Sequence, residues 1–524
     1  MKNTWKTFIN SIITLFLALI IIVISLLITY ASNTIVLLCI IFFTLSLNIS
    51  FGIFILNSKN RLVETRASWI FFISSVPLIG VLIFLIFGTK SFKNKKWEEN
   101  DLLEKKFLKY ENYEFTNKLI NSKNIDDEIG MVFNCIYLNQ LKPVYEFNKY
   151  EVIKSNEMIF SEYINLIRSA KKHIHLQVYL IKDGVFIFLL ISELIKKAKE
   201  GIKIRFLYDW VGSFKKFNRK YLTVMKKNNI EVAQFNPSGI NMFKGSTNYR
   251  SHKKTLIVDN TTALYTSANI SDEYIALSTK DNYWRDLNIK IHGEIVNSLN
   301  INFCIDWYDF TKNSLSDINK KKLINSLNEI LIIDTNTNEK NISQLITCTP
   351  NFDNELSILS TTTILFISAK EEIIIVTPYL VLPNELISAL VIALSKKIKV
   401  KIIVPGRRDN KDFVIPMNRD CYIKLLKYGC EVYEYDGFIH SKYIIVDNKY
   451  VQIGSNNMDF RSFFINFENC IFIKSESVSN SIKKIFEIDL QNTKLMEYKY
   501  VDKYLSKLRI KILIWFLNIY KPLL

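Results

Sequence analysis

The chain has 524 residues, 49% of them hydrophobic, so it is long enough for two or three domains and too apolar for a largely disordered protein. Lys and Arg number 68 against 50 Asp and Glu, and the net charge of +18 favours an anionic partner, either a phospholipid surface or nucleic acid. Seven cysteines without a CxxC pair argue against a disulfide scaffold or a zinc cluster, and five histidines (His173, His175, His252, His292 and His440) are all the imidazole chemistry has to draw on.

In chain order, the first 96 residues read as a membrane anchor with three apolar segments at 8–30, 34–56 and 69–87. About 20 apolar residues span the hydrocarbon layer as a helix. A cleaved signal peptide is the competing reading of the first run, but that run is longer than a usual signal core and another follows at once. Basic residues cluster at Lys2 and Lys6, at Lys59, Arg61 and Arg66, and at Lys90, Lys93, Lys95 and Lys96. Three full crossings cannot place all three clusters inside. A re-entrant third segment bent near Pro77 and Gly80 can, with the catalytic part on the cytoplasmic side of the cell membrane; the alternative is three crossings, with one cluster against the charge rule.

After a linker at 97–140 the pattern changes to short β-rich runs alternating with helical ones. Strand 173–181, helix 186–201 and strand 202–210 are answered later by strand 372–381, helix 384–397 and strand 398–406. The segment SAKKHIHLQVYLI at 169–181 resembles SAKEEIIIVTPYLV at 368–381, so the fold class is α/β, two copies of one unit with parallel or mixed sheets. The lobes are read as 141–310 and 346–500, joined by an Asn-, Lys- and Ser-rich connection at 311–345. The tail, 501–524, mixes Lys and Arg with Trp515, Phe516 and leucines and reads as an amphipathic interfacial helix, with a core helix as the alternative.

Each copy carries the same triplet, His252, Lys254 and Asp259 in HKKTLIVD and His440, Lys442 and Asp447 in HSKYIIVD. Residues two apart on a strand share a face, so each His and Lys point together. Ten residues after each Asp stands an Asn, Asn269 and Asn457. Two lobes around one site then supply two imidazoles, two ammonium groups and two amides. That set suits a phosphodiester: the cations and amides hold the nonbridging oxygens, one His attacks phosphorus, and the other protonates the leaving alkoxide. No metal ligand cluster or cofactor is required. His173, His175 and His292 lack counterparts in the other copy and read as structural. The Asp of each triplet is read either as part of the site or as a packing anchor.

The duplicated HxKxxxxD resembles the phospholipase D superfamily and, within it, the bacterial cardiolipin synthase family, over nearly the whole chain. NYRSHKKTLIVD, YWRD, YEYDGFIHSKYIIVD and IGSNNMDFRSFFINFE carry the resemblance. It implies two phospholipase D-like lobes with pseudo-twofold symmetry and phosphatidyl transfer between two phosphatidylglycerol molecules through a phosphatidyl-histidine. It implies that His252 is the nucleophile and His440 the acid–base. It further implies that Asp286 and Glu468 orient the imidazoles as the acids of copies one and two, and that Ser267 and Ser455 lie on the phosphate side. Thr266 stands where the family has a small Gly, as Gly454 does in copy two, and this puts the fit of the first lobe to phosphate in question. The expected partners are phosphatidylglycerol, other anionic phospholipids and the bilayer, not nucleic acid. The competing functions are a lipid hydrolase of the same fold, a membrane-tethered nuclease and a non-catalytic scaffold.

Overall fold

The computed structural model describes residues 34–58, 63–85, 113–121, 130–237, 248–275, 277, 284–311, 324–327, 337–349, 357–407 and 413–520. Two compact units divide the chain, Met1–Thr89 and Lys90–Leu524.

In the first unit, the apolar run at 8–30 lies outside the described residues. The run at 34–56 forms the uncharged helix Thr34–Leu56. The third run is not one helix. Val63–Ser75 and Ile79–Ile83 are separated at Pro77, which has no N–H to continue a helix. The chain folds back there so tightly that a Cβ on Gly80 would lie 2.8 Å from the Ile73 Cα. Phe84 closes the fold against Phe51, Phe54 and Trp69. Among the described residues no helix is long and apolar enough to cross a membrane.

The second unit is built on one mixed sheet of 15 strands. From edge to edge these are Thr493–Leu495, Glu431–Tyr435, Lys399–Pro405, Glu372–Val376, Tyr443–Val446, Tyr450–Gly454, Glu468–Lys474, Lys340–Cys348, Val144–Ile153, Asn288–Gly293, Thr262–Thr266, Thr255–Val258, His173–Val178, Lys203–Asp209 and Glu231–Phe235. Apart from the extra edge strand Thr493–Leu495 of the second lobe, the order reads the same outward from the antiparallel pair Val144–Ile153 and Lys340–Cys348, so a pseudo-twofold axis passes between these two strands. In each lobe the strand that opens the repeat pairs in parallel with the next strand and antiparallel with the strand that follows the HxK triplet. Val185–Lys199 and Asn384–Ser395 are the equivalent crossover helices.

The strand Lys340–Cys348 begins inside the expected connection, so the second lobe starts earlier than 346. Its Asn, Ser, Gln and Thr residues disguise it as a loop. They are buried because the strand is covered by a neighbour on each side.

Three apolar clusters form the core. One fills each lobe beneath its outer helices. The third is shared and joins Leu207, Ile257 and Leu299 of the first lobe to Ile374, Ile445 and Ile482 of the second. Helix Ile295–Thr311 packs on the second lobe's strand Lys340–Cys348, and helix Glu476–Leu490 packs on the first lobe's strand Val144–Ile153. Burial of these faces, at about 25 cal/mol per Å² of apolar surface, ties the two halves into one body.

Candidate active site

The triplets are brought together by backbone pairing between lobes. Ser251 bridges Phe467 in parallel, and Phe438–Ile439 pairs in parallel with Trp284–Arg285. The His252 amide donates to the Phe467 carbonyl at 2.8 Å, and the His440 amide donates to the Arg285 carbonyl at 2.7 Å. Phe467 and Arg285 each precede an acid, Glu468 and Asp286. Each lobe's imidazole is therefore delivered to the other lobe's carboxylate.

The His252 Nδ1 stands 3.1 and 3.2 Å from the two Glu468 oxygens and 2.9 Å from the Ser455 carbonyl. All three are acceptors, so Nδ1 carries the proton and the Nε2 lone pair is left for chemistry. The His440 Nδ1 stands 2.8 Å from an Asp286 oxygen. The acids were expected to serve the histidine of their own copy; the pairing is crossed instead, because the start of each acid strand faces the opposite lobe.

Lys254 and Lys442 are buried and donate to the carbonyls of His252 and His440. The Lys442 Nζ also lies 3.1 and 3.2 Å from the two ring nitrogens of His440, and Lys254 has no matching contact with His252 among the described hydrogen bonds. Burial, reinforced by Lys442, lowers Lys254 to about 7, and burial lowers Lys442 to about 8. The Lys442 ammonium thus acts on Lys254 across the lobe boundary. Burial, opposed by Glu468 and aided by Lys254, lowers His252 to about 4. Burial and Lys442 lower His440 to about 3. The two carboxylates stay below their ordinary range despite burial, through His440 and Lys442 at Asp286 and through His252 and Lys254 at Glu468. Aromatic rings wall both imidazoles: Tyr179 lies edge-on to His252 at 4.9 Å, and Tyr274 and Trp284 lie 5.4 and 5.6 Å from His440.

Ser267 and Ser455 hold the acids. The Ser267 hydroxyl donates to Asp286 and the Ser455 hydroxyl to Glu468. Asn269 donates to the Tyr274 hydroxyl and accepts from the Leu180 amide. The Asn457 Oδ1 is buried with no hydrogen-bond partner among the described residues. Thr266 donates to the Asn288 side chain and accepts from the Ala268 amide, so its hydroxyl is spent inside the first lobe.

Asp259 and Asp447 are not brought to the imidazoles. From His252 to Asp259 the chain runs about 23 Å when extended. Asp259 accepts from the amides of Lys171, Lys172 and His173, and Asp447 accepts from those of Lys370, Glu371 and Glu372. Both begin turns in which Asp and the following Asn have positive φ, a conformation that Asp and Asn tolerate best after Gly. Their grouping with the reacting residues gives way to the packing-anchor reading. His175 hydrogen-bonds Asn300 and Arg205, and His292 hydrogen-bonds Thr262, as structural histidines do.

Three buried ion pairs around the site were missed by the sequence reading: Arg250–Asp209, Lys253–Asp306 and Arg285–Asp489. Arg250, Lys253 and Arg285 stand inside the quoted motifs, but nothing in the sequence marks their acidic partners. Among the described residues no group of acidic, His and Cys side chains forms a metal site.

A family model described as "Cardiolipin synthase, PLD-like domain" matches residues 163–307 and 364–490. A cardiolipin synthase of Halalkalibacterium halodurans is 31% identical over 84% of this chain and 86% of its own length. Cardiolipin synthase 1 of Bacillus anthracis is 30% identical over 91% of this chain and 92% of its own. Among solved structures, a phosphatidylserine synthase of Haemophilus influenzae superposes with a TM-score of 0.57 at 18% identity, covering 76% of this chain and all of its own, which is a likeness of fold.

Proposed function

The chain belongs to the cardiolipin synthase family with its phospholipase D-like domains, and on that premise we propose that it transfers a phosphatidyl group from one phosphatidylglycerol to the glycerol hydroxyl of another. The products are cardiolipin and glycerol. The observation that carries the reading is the crossed pair of imidazole–carboxylate contacts, which joins two acid–base groups and two buried ammonium groups at a single site.

His252 serves as the nucleophile. Its Nδ1 is held by Glu468 and the Ser455 carbonyl, and among the described hydrogen bonds no lysine lies against its Nε2. Nε2 attacks phosphorus, the bond to the glycerol oxygen breaks, and His440 gives that oxygen a proton. The second lipid's hydroxyl then loses its proton to His440 and attacks phosphorus, breaking the P–N bond. The incoming phosphodiester anion draws Lys442 off the His440 ring and, with Asp286, raises that ring's proton affinity. Lys254, Lys442 and the amides of Asn269 and Asn457 meet the charge on the pentacoordinate phosphorus. Thr34–Leu56 and the hairpin at Pro77 attach the protein to the bilayer, the hairpin as a re-entrant segment, with the catalytic unit on the cytoplasmic face. The helix Thr34–Leu56 exposes Leu38, Ile41, Phe42, Phe43 and Ile49, side chains that suit lipid rather than water.

Thin-layer analysis of the purified protein with labelled phosphatidylglycerol tests the reaction. Cardiolipin with an equal amount of glycerol is expected. Phosphatidic acid alone makes the protein a hydrolase, and absence of turnover removes the enzyme.

A further inference from the structure

The helix Leu508–Tyr520 carries two apolar stripes rather than one. At 3.6 residues per turn, Ile510, Leu513, Ile514 and Leu517 share one side. Leu508, Ile512, Trp515 and Phe516 share the opposite side, at the i, i+4, i+7, i+8 spacing. The first stripe is used within the fold. Ile514 and Leu517 are buried, and the helix packs on Val414–Leu426, where Asn518 donates to Asp420 at 3.2 Å. Just before this helix, Tyr504 of the helix Tyr498–Leu505 lies with its ring centre 4.3 Å from Arg419, which is bound to Glu434 at 2.8 and 2.6 Å.

The second stripe faces out. Leu508 is 74% exposed, Ile512 57%, Trp515 60% and Phe516 51%. Arg509 borders this stripe on one side and Lys511 on the other, and both are exposed, as are Lys503 and Lys507 just before. An apolar stripe edged by cations, with tryptophan at its margin, is the pattern of a helix lying in a membrane interface. A second copy of the chain is the poorer occupant, since a twofold contact on this stripe sets Arg509 and Lys511 against their own equivalents.

We propose that the outward stripe of Leu508–Tyr520 lies in the headgroup–acyl boundary of an anionic phospholipid bilayer, giving the catalytic unit a membrane contact of its own. This rests on the phospholipid reading above only for the kind of surface.

The test uses the full chain reconstituted into vesicles of phosphatidylglycerol and phosphatidylcholine with brominated acyl chains. The difference between wild type and Trp515→Phe isolates the emission of Trp515. Most of that emission is expected to be quenched, more strongly as the phosphatidylglycerol share rises. The doubly substituted Leu508→Ser, Ile512→Ser, at exposed positions, is expected to recover most of the emission with an unchanged circular dichroism spectrum. Unquenched Trp515 in the wild type overturns the proposal, and equal quenching in pure phosphatidylcholine overturns its anionic part. Unquenched Trp515 together with a fall in particle mass for the double variant in detergent assigns the stripe to self-association. The His252→Ala protein in the same assay separates the two readings, because it is expected to make no cardiolipin and to keep the quenching.

Discussion

The His252 Nδ1 lies 3.2 Å from an Oε2 that belongs to Glu468, 216 residues further along the chain and in the other lobe. The contact fixes the tautomer of the ring and offers charge to the imidazolium it becomes. Glu468→Gln is therefore expected to lower kcat by about 10²–10⁴, the scale of losing an acid–base partner. In double-mutant cycles read by denaturant unfolding, Glu468→Gln is expected to couple to His252→Ala and not to His440→Ala, and Asp286→Asn to His440→Ala and not to His252→Ala. Coupling of His252 to Asp286 would restore the within-lobe pairing.

Asp259→Asn and Asp447→Asn are expected to behave in the opposite way. Each removes an anion that accepts from three backbone amides, worth about 1.5–3 kcal/mol for bonds to a charged group. Chemical denaturation should show that loss, while kcat of the folded fraction stays near wild type. A drop in kcat as large as that of Glu468→Gln would return these residues to the site.

The pH dependence follows from burial. His252 is held at about 4 and His440 at about 3, against 6.5 for an ordinary histidine. Below pH 6.5 the unfolded chain takes up protons at both positions and the folded chain does not, so stability falls as pH falls through this window. The thermal midpoint should decline from pH 6.5 to 4, with a shallower decline in His440→Asn. The lysines set the alkaline side. Lys254 loses its proton at about 7 and Lys442 at about 8, so kcat/KM, which reports the free protein, should fall as pH rises through these values. A kcat/KM flat to pH 9 would contradict the buried ammonium pair.

Lys253 is fully buried and donates to Asp306 at 2.9 Å; Gln177 donates to the same carboxylate at 2.7 Å. Breaking the pair with Lys253→Met alone is expected to cost about 3–5 kcal/mol, because Asp306 keeps its charge in the interior. The double change Lys253→Met, Asp306→Leu should recover much of that loss in denaturant unfolding. Equal instability of the single and double variants would show that the pair does not act as a unit.

Gly454 and Thr266 occupy equivalent places but are not interchangeable. A Cβ on Gly454 would lie 2.4 Å from the Asn469 carbonyl, so Gly454→Thr should lower the thermal midpoint sharply. Thr266→Gly loses the bonds to Asn288 and Ala268, a cost on the order of 1–3 kcal/mol. Equal effects of the two changes would deny the difference between the lobes.

The elements whose apolar pattern is regular were legible in the sequence. The strand–helix–strand runs around Val185–Lys199 and Asn384–Ser395 lie within a few residues of their expected limits, because alternation and helical periodicity mark one buried face. The strand Lys340–Cys348 was not legible, since its Asn, Ser, Gln and Thr residues, buried between two neighbouring strands, have the composition of a loop. Within the site, the spacing of His and Lys on one strand face was readable. The crossing of the carboxylates was not, because no local pattern tells which lobe a strand end will face. The aromatic walls Tyr274 and Trp284 were hidden for the same reason, since they stand against the histidine of the other lobe, whereas Tyr179 meets His252 within its own lobe through a fold contact that no local pattern marks.

A solitary lobe with this architecture would own a histidine and an acid that never meet. Its smallest competent form would be a symmetric pair, with every change made twice. Carrying both lobes on one polypeptide lifts that duty of identity. Lys253 can stand opposite Ser441, Thr266 opposite Gly454, and Tyr274 opposite Ser462, so that the surroundings of the two imidazoles are free to differ.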